Sequence, residues 1–227
     1  MAANGATGVT LTEVADRYPL LFHMAEKGSW DAIRANGLRS TTALLDLYGY
    51  AGEKREMVES HKREASVVLS AMHLPNAVVR DNLPIREVAL AGALEDGLNP
   101  RGWYEMLNQR VFFWVSEERL KRLLNARAYR SKEHDVLVVD TRSLLQAHSD
   151  RVTLCAMNSG NTFPVAHRRG LATFRRLKDF PFQDRIARRL EPVVELAVDY
   201  AVPDIASHTL RVERRQARLE GRVIWTR

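Results

Sequence analysis

The sequence predicts an α+β fold, and three observations carry that expectation. Arg110-Val-Phe-Phe-Trp-Val115 and Asp135-Val-Leu-Val-Val-Asp140 are dense in aromatic and β-branched residues, the composition of strands. Helix-start signatures separate such runs. In Ser116-Glu-Glu a hydroxyl can cap the helix and two acids meet the positive end of its dipole. Strands and helices follow no regular alternation, which argues against a winding of βαβ units. Hydrophobic residues make up 45% and charged residues 27% of the 227 residues, enough for one well-formed core. No linker, repeat or low-complexity tract divides the chain, so a single domain over 1–227 is expected.

Taken in order, residues 11–18 read as a short helix and 19–24 as a strand whose apolar run ends in His23. Ser29 can cap a helix over 30–36 that closes at Gly37, and Thr41 can cap another that ends at Gly49. Residues 52–71 read as one charged amphipathic helix. Its apolar stripe of Met57, Val67, Val68 and Met72 is thin, which suggests an arm or lid over 52–72. A strand at 76–80 and a helix at 84–95 follow, then a turn from Gly97 to Pro100. Pro100 suits the first turn of a helix through Trp103, Tyr104 and Leu107. Thr141 can cap a short helix after the Asp140 strand, and Val152–Cys155 reads as a strand. The breakers in Asn158-Ser-Gly-Asn161, Pro164 and Gly170 make 157–170 a loop. Strands at 192–198, 208–213 and 221–226 end the chain. The polar stretch between Glu213 and Arg222 is a hairpin connection or a frayed helix.

Charge and cysteine content narrow the function classes. Thirty-four Lys and Arg against 28 Asp and Glu give +6, with a sequence pI near 9.7, which favours an anionic partner. The excess gathers in His167-Arg168-Arg169, Arg175-Arg176-Leu-Lys178 and Arg185-Ile-Ala-Arg188-Arg189. These form either a solvated face or a patch that meets phosphates. Cys155 is the one cysteine, so no internal disulfide can form and a Cys-based zinc site is not expected; the seven His show no metal spacing. No apolar run approaches the roughly 20 residues of a membrane span. Met-Ala-Ala-Asn-Gly-Ala-Thr-Gly at the start has neither a basic nor an apolar export region, so a cytoplasmic protein without a membrane partner is expected. The glycine fingerprints of Rossmann and P-loop sites, the H-E-x-x-H zinc motif and the G-x-S-x-G elbow are all absent.

Two segments at opposite ends of the chain carry the functional reading. Near the start, Tyr18-Pro-Leu-Leu-Phe-His23-Met-Ala leads into Ser29-Trp-Asp-Ala-Ile33-Arg-Ala-Asn-Gly37-Leu38. Near the end stands Pro192-Val-Val-Glu195-Leu-Ala-Val, continued by Val202-Pro203-Asp-Ile205. An apolar strand rarely holds a lone carboxylate unless it has a partner or a task. From the residues alone, Glu195 is such a group, or a solvent-facing acid, or the partner of a nearby arginine. His23 is either a hydrogen-bond donor to a ligand or a structural strand residue, and the aromatics of 112–114 are core or a stacking face.

The opening segment resembles the strand, His, helix, Ile-x-x-x-Gly-Leu start of ADP-ribosyltransferase-like domains. DarT-type DNA ADP-ribosyltransferases share that start, as do RNA 2′-phosphotransferases more distantly. The closing segment is similar to the strand that carries the catalytic Glu in DarT-type enzymes. Two departures stand out: the first helix is entered through Glu26-Lys-Gly-Ser-Trp30, and the stretch Trp103 to Phe113 follows the DarT-type pattern only loosely.

This resemblance implies a split, mixed β-sheet with flanking helices and an enzyme that consumes NAD. Glu195 would be the catalytic carboxylate, and Arg80, placed by its strand, the catalytic arginine. His23 and Met24 would meet the nicotinamide ribose, and Phe113 or Trp114 would stack on nicotinamide. From its own residues, the polar loop of Asn158 and Ser159 either offers N–H groups to an anion or is a simple turn. Arg168, Arg169, Arg175 and Arg176 would face an acceptor DNA or RNA. A toxin with an antidote protein is implied in the same way, with no resident metal. The alternatives are a non-catalytic, basic nucleic-acid-binding module on the same fold, or an NAD-consuming RNA 2′-phosphotransferase.

Overall fold

The computed structural model describes residues 8–217 and 219–227. All but Gly8 of the start read for an export signal, and Arg218 in the Glu213–Arg222 connection, lie outside the described residues. Thr10 opens α1 (Leu11–Arg17) through a reciprocal capping box with Glu13. β1 (Leu20–Glu26) runs three residues past His23, which therefore stands mid-strand instead of at its end. Ser29 does not cap α2 (Trp30–Asn36). Asp135, from another strand, accepts the Gly28 and Trp30 N–H groups at 2.9 and 3.3 Å instead. Gly37 turns the chain at φ +80, and a Cβ there would come within 2.6 Å of Pro203 Cα. β2 (Leu38–Arg39) follows, and Ser40, not Thr41, caps α3 (Thr41–Leu47) by accepting the Ala43 N–H.

Residues 52–72 are not one helix. α4 (Gly52–Glu59) stops at Ser60, and the chain turns into a hairpin of β3 (Val67–Ala71) and β4 (Leu74–Val79). Arg63 is one cause. It is buried, and its guanidinium donates to the carbonyls of Val58 and Arg80 and to Asn108 Oδ1, which draws the chain off the helix axis. The other cause is the run Val67-Val68-Leu69, which fits a pleated surface better than a helix. Leu69 and Val79 join Leu45, Tyr48 and Val58 in a small core. The expected arm is thus a packed wall.

α5 (Glu87–Ala91) is shorter than the expected 84–95 and packs Leu90 against Trp103 and Tyr104 of α6 (Pro100–Asn108). Asn99 caps α6, with Pro100 in its first turn. β5 (Arg110–Trp114), α7 (Glu117–Leu124, capped by Ser116) and β6 (His134–Asp140) come next. Asp140, and not Thr141, caps α8 (Thr141–His148). β7 (Val152–Cys155), β8 (Arg175–Arg176) and α9 (Phe182–Ala187) lead to β9 (Glu195–Asp199). Glu195 is therefore the first residue of its strand instead of the middle. β10 (Ala201–Val202), α10 (Ile205–His208), β11 (Thr209–Arg215) and β12 (Arg222–Thr226) complete the chain.

The fold is α+β around a large sheet in the order β12-β11-β6-β1-β5-β9-β7-β8. Each neighbouring pair is antiparallel, which corrects the expected mixed sheet: no two neighbours are joined by the crossover helix a parallel pair requires. Residues of α1, α2, α8 and α10 share one core with one face of the sheet. Those of α7, and of α5 with α6, cover the other face. Seven registered positions hold β1 to β6 and five hold β5 to β9, yet β1 and β5 share only Phe22↔Trp114. The sheet is split beyond that pair. β2 pairs with β10, so the two segments singled out in the sequence meet. No helix among the described residues is long and apolar enough to cross a membrane.

Candidate active-site cleft

Past Phe22↔Trp114, the facing edges of β1 and β5 have no ladder between them, and side chains take up their carbonyls. His23 Nδ1 lies 2.9 Å from the Phe112 carbonyl and Arg80 Nη1 lies 3.1 Å from the Met24 carbonyl. The opening is a cleft of about 340 Å³, within the size range of small-molecule sites. α2, α3, β4 and the Asn158–Gly160 turn complete its walls.

A carbonyl can only accept, so His23 Nδ1 carries the proton and Nε2 of the neutral ring is an acceptor. Burial pushes the His23 pKa down to about 4, opposed by the Phe112 hydrogen bond and reinforced by the charge of Arg80. At neutral pH the ring is therefore uncharged, and a ligand hydroxyl would donate to Nε2. This reverses the donor role that sequence reasoning suggested.

Glu195 is 5% exposed and lies opposite Trp114 on β5 and Cys155 on β7. Burial raises its pKa to about 7, although hydrogen bonding from Ser159 and the charges of Arg119 and Arg169 pull the other way. The Ser159 N–H reaches Glu195 Oε2 at 3.1 Å. A buried carboxyl with so little compensation, at a cleft wall, has the profile of a functional acid.

Arg80 stands over the Tyr129 ring at 4.8 Å, and its Nε lies 3.8 Å from Glu26 Oε1. That Nε is buried without a hydrogen-bond partner among the described residues. Tyr129 in turn donates to Asp81 at 2.6 Å. Sequence reasoning missed Glu26, Asp81 and Tyr129. Glu26 had a signal, three residues after His23 in the same strand, and Asp81 adjoins Arg80; Tyr129 sits in a loop with none.

The structure brings His23, Met24, Arg80, Phe113, Trp114, Asn158, Ser159 and Glu195 to one cleft. Phe113 is 1% exposed and meets His23 edge-on at 5.8 Å, so it braces that ring and offers no face for stacking. Half-buried Trp114 is the aromatic beside Glu195. Arg168, Arg169, Arg175 and Arg176 do not line the cleft. Arg168 pairs with Glu95 at 2.6 Å, Arg175 donates to the Ala172 carbonyl, and Arg176 pairs with Asp199 at 2.6 Å. Arg169 is buried, so it is unavailable to a nucleic acid at the surface; two of the four, Arg168 and Arg176, are neutralised by local acids, and Arg175 is exposed.

His148, Asp204 and His208 lie close enough to share a metal ion. The hydrogen bonds argue otherwise. Arg151 donates to His148 Nδ1 at 2.7 Å, so the proton sits on Nε2 and points at Asp204 Oδ1, 2.6 Å away. That nitrogen has no lone pair for a cation, and Arg151 adds a like charge beside it. The cluster ties the ends of α8 and α10 together.

Residues 19–209 match the family of unknown function designated DUF7002. The chain belongs to DUF7002. The DUF7002 match takes in β1 through α10, and so His23, Arg80, the Asn158–Gly160 turn and Glu195; it leaves out α1, most of β11 and β12. No curated protein matches this DUF7002 chain.

Proposed function

We propose that this DUF7002 protein is an NAD-dependent ADP-ribosyltransferase whose acceptor is a nucleic-acid base. The observation that carries the reading is the split sheet, whose one cleft gathers a neutral histidine, a buried carboxyl near its titration point and an arginine with an unpartnered N–H. NAD suits that set. Its ribose hydroxyls match Nε2 of His23 and the Glu195 carboxylate, its pyrophosphate matches the orphan Nε of Arg80, and Trp114 supplies an aromatic for the nicotinamide.

The reaction breaks the bond between ribose C1′ and the nicotinamide nitrogen. The electron pair leaves with the nicotinamide, which loses its positive charge, and that charge collects on C1′ and the ring oxygen. The acceptor adds its lone pair to C1′ and releases a proton. Ionised Glu195 offsets the developing charge and holds a ribose hydroxyl, in a dry site where such an interaction is strong. With a pKa of about 7, Glu195 is also suited to take the acceptor's proton. A net charge of +6 and the exposed Arg168 and Arg175 favour a polyanionic acceptor.

Incubation with labelled NAD and single-stranded DNA, RNA or protein tests the reading. We expect nicotinamide release and labelled nucleic acid from the parent, and a drop of roughly 100-fold or more for Glu195→Gln. Absence of both nicotinamide release and labelling defeats it. Steeply salt-dependent nucleic-acid binding without NAD turnover would establish the binding module instead.

A further inference from the structure

Arg169 is 1% exposed, and its guanidinium makes no ion pair among the described residues. Three backbone carbonyls hold it instead: Nε donates to His167 at 2.9 Å, Nη1 to Ser159 at 2.9 Å and Nη2 to Asn161 at 3.0 Å. Its Cζ lies 5.6 Å from the Trp103 ring centroid. The Arg169 N–H and carbonyl are tied to Ala93 and Glu95, each at 2.9 Å. The guanidinium therefore joins the α5–α6 layer to the loop that carries Ser159. A buried cation that touches no carboxylate among the described residues is a costly way to fill space, and an apolar side chain would do that better. What the fork achieves is orientation. Ser159 is gripped through its carbonyl by Arg169, while its N–H meets Glu195 Oε2 at 3.1 Å.

We propose that Arg169 is the positioning residue for Glu195: by clamping the carbonyls of Ser159, Asn161 and His167, it keeps the Ser159 N–H aimed at the Glu195 carboxyl. The kinetic consequence rests on the reading of Glu195 as the catalytic carboxylate, whereas the clamp itself does not. Lysine cannot substitute, because a single ammonium does not span three carbonyls in a fixed plane.

The test titrates the Glu195 carboxyl carbon by NMR in glutamate-labelled parent, Arg169→Lys and Arg169→Gln, beside kcat and KM for NAD cleavage. Both variants should raise the Glu195 midpoint by about 0.5 unit or more. Arg169→Lys, which keeps the cation, does so because a hydrogen bond that favours the carboxylate is lost. Arg169→Gln raises it further because the charge of Arg169 goes as well, so the lysine variant decides for the clamp. In both, kcat at pH 7 should fall roughly tenfold with KM changed less than about twofold, since a misaligned group costs turnover more than binding. Variants that lose thermal stability but keep the parent midpoint and kcat overturn the proposal, as does full recovery with lysine. Should neither variant fold, the parent decides: its Ser159 amide and Arg169 Nε–H resonances must titrate with Glu195, and a flat response from either overturns the clamp. A parent that releases no nicotinamide removes the catalytic reading, while the NMR midpoints still decide for or against the clamp.

Discussion

Two strands of the same sheet each bury one carboxylate, and their surroundings are opposite. Asp135 on β6 is fully buried and meets three donors: the Gly28 and Trp30 N–H groups and Arg214 Nε at 2.7 Å. Glu195 on β9 is almost as buried and, among the described residues, is met by Ser159 alone. The charge of Asp135 is consumed in fixing the start of α2 and the neighbouring β11. That of Glu195 is left for something the cleft receives. Burial of an acid does not distinguish structure from function; the number and geometry of its donors do.

The comparison breaks first at stability. Asp135→Ala leaves half-buried Arg214 without its partner and the start of α2 unsatisfied, a loss of about 2 kcal/mol or more. Urea unfolding at pH 7 should show it as a lower midpoint at unchanged slope. Glu195→Gln should cost little at the same pH, because the amide no longer has to be buried as an anion. Equal losses at the two sites would mean that donor count is not what separates them.

Titration sharpens the contrast. Between the unfolded value of 4.5 and the folded value of about 7, native Glu195 holds a proton that the unfolded chain releases. Its contribution to stability therefore falls as pH rises through that window, by about 3 kcal/mol. His23 runs the other way. With a folded value of about 4 against 6.5, it binds fewer protons when folded, so its contribution rises with pH between 4 and 6.5 by about 3 kcal/mol. In the parent the two slopes oppose each other from about 4.5 to 6.5. Glu195→Gln should expose the rising slope and His23→Gln the falling one, in unfolding series at pH 4.5, 5.5, 6.5 and 7.5. If both variants keep the parent's profile, these two groups are not the perturbed ones. For turnover, kcat/KM should rise with pH to a plateau with its midpoint near 7, since ionised Glu195 is the working form.

Much of this arrangement was legible in the sequence, for reasons particular residues make plain. The strands over 110–114 and 134–140 are written in local composition, and the Ser116 cap in one hydroxyl and two acids. His23, Arg80 and Glu195 were each odd for their setting, the first two ending an apolar run and the third interrupting one, and all three line the cleft. What could not be read was set by distant partners. The α2 cap comes from Asp135, more than a hundred residues on, and the hairpin at 67–79 exists partly because Arg63 folds back on the Arg80 carbonyl. A row of arginines gives no sign of which one turns inward. Phe113 failed as a stacking face because alternation along a strand tells which residues share a side, but not which side is core.

The smallest expected effect tests the same rule at adjacent residues. Arg168 is a surface cation paired with Glu95, its side chain 82% exposed, while Arg169 is sealed among carbonyls. Exposed pairs contribute about 0.5 kcal/mol and are screened by salt, so Arg168→Ala should hardly move the unfolding midpoint or nicotinamide release. Its effect, if the acceptor is a polyanion, lies elsewhere: labelling of nucleic acid should weaken by about the loss of one phosphate contact, with a shallower dependence on salt. An unchanged salt slope would remove Arg168 from the acceptor surface. A fall in nicotinamide release would be more damaging, because it would make the exposed member of the pair, the one whose partner lies in plain solvent, act on the chemistry that the inward-facing arginine is argued to control.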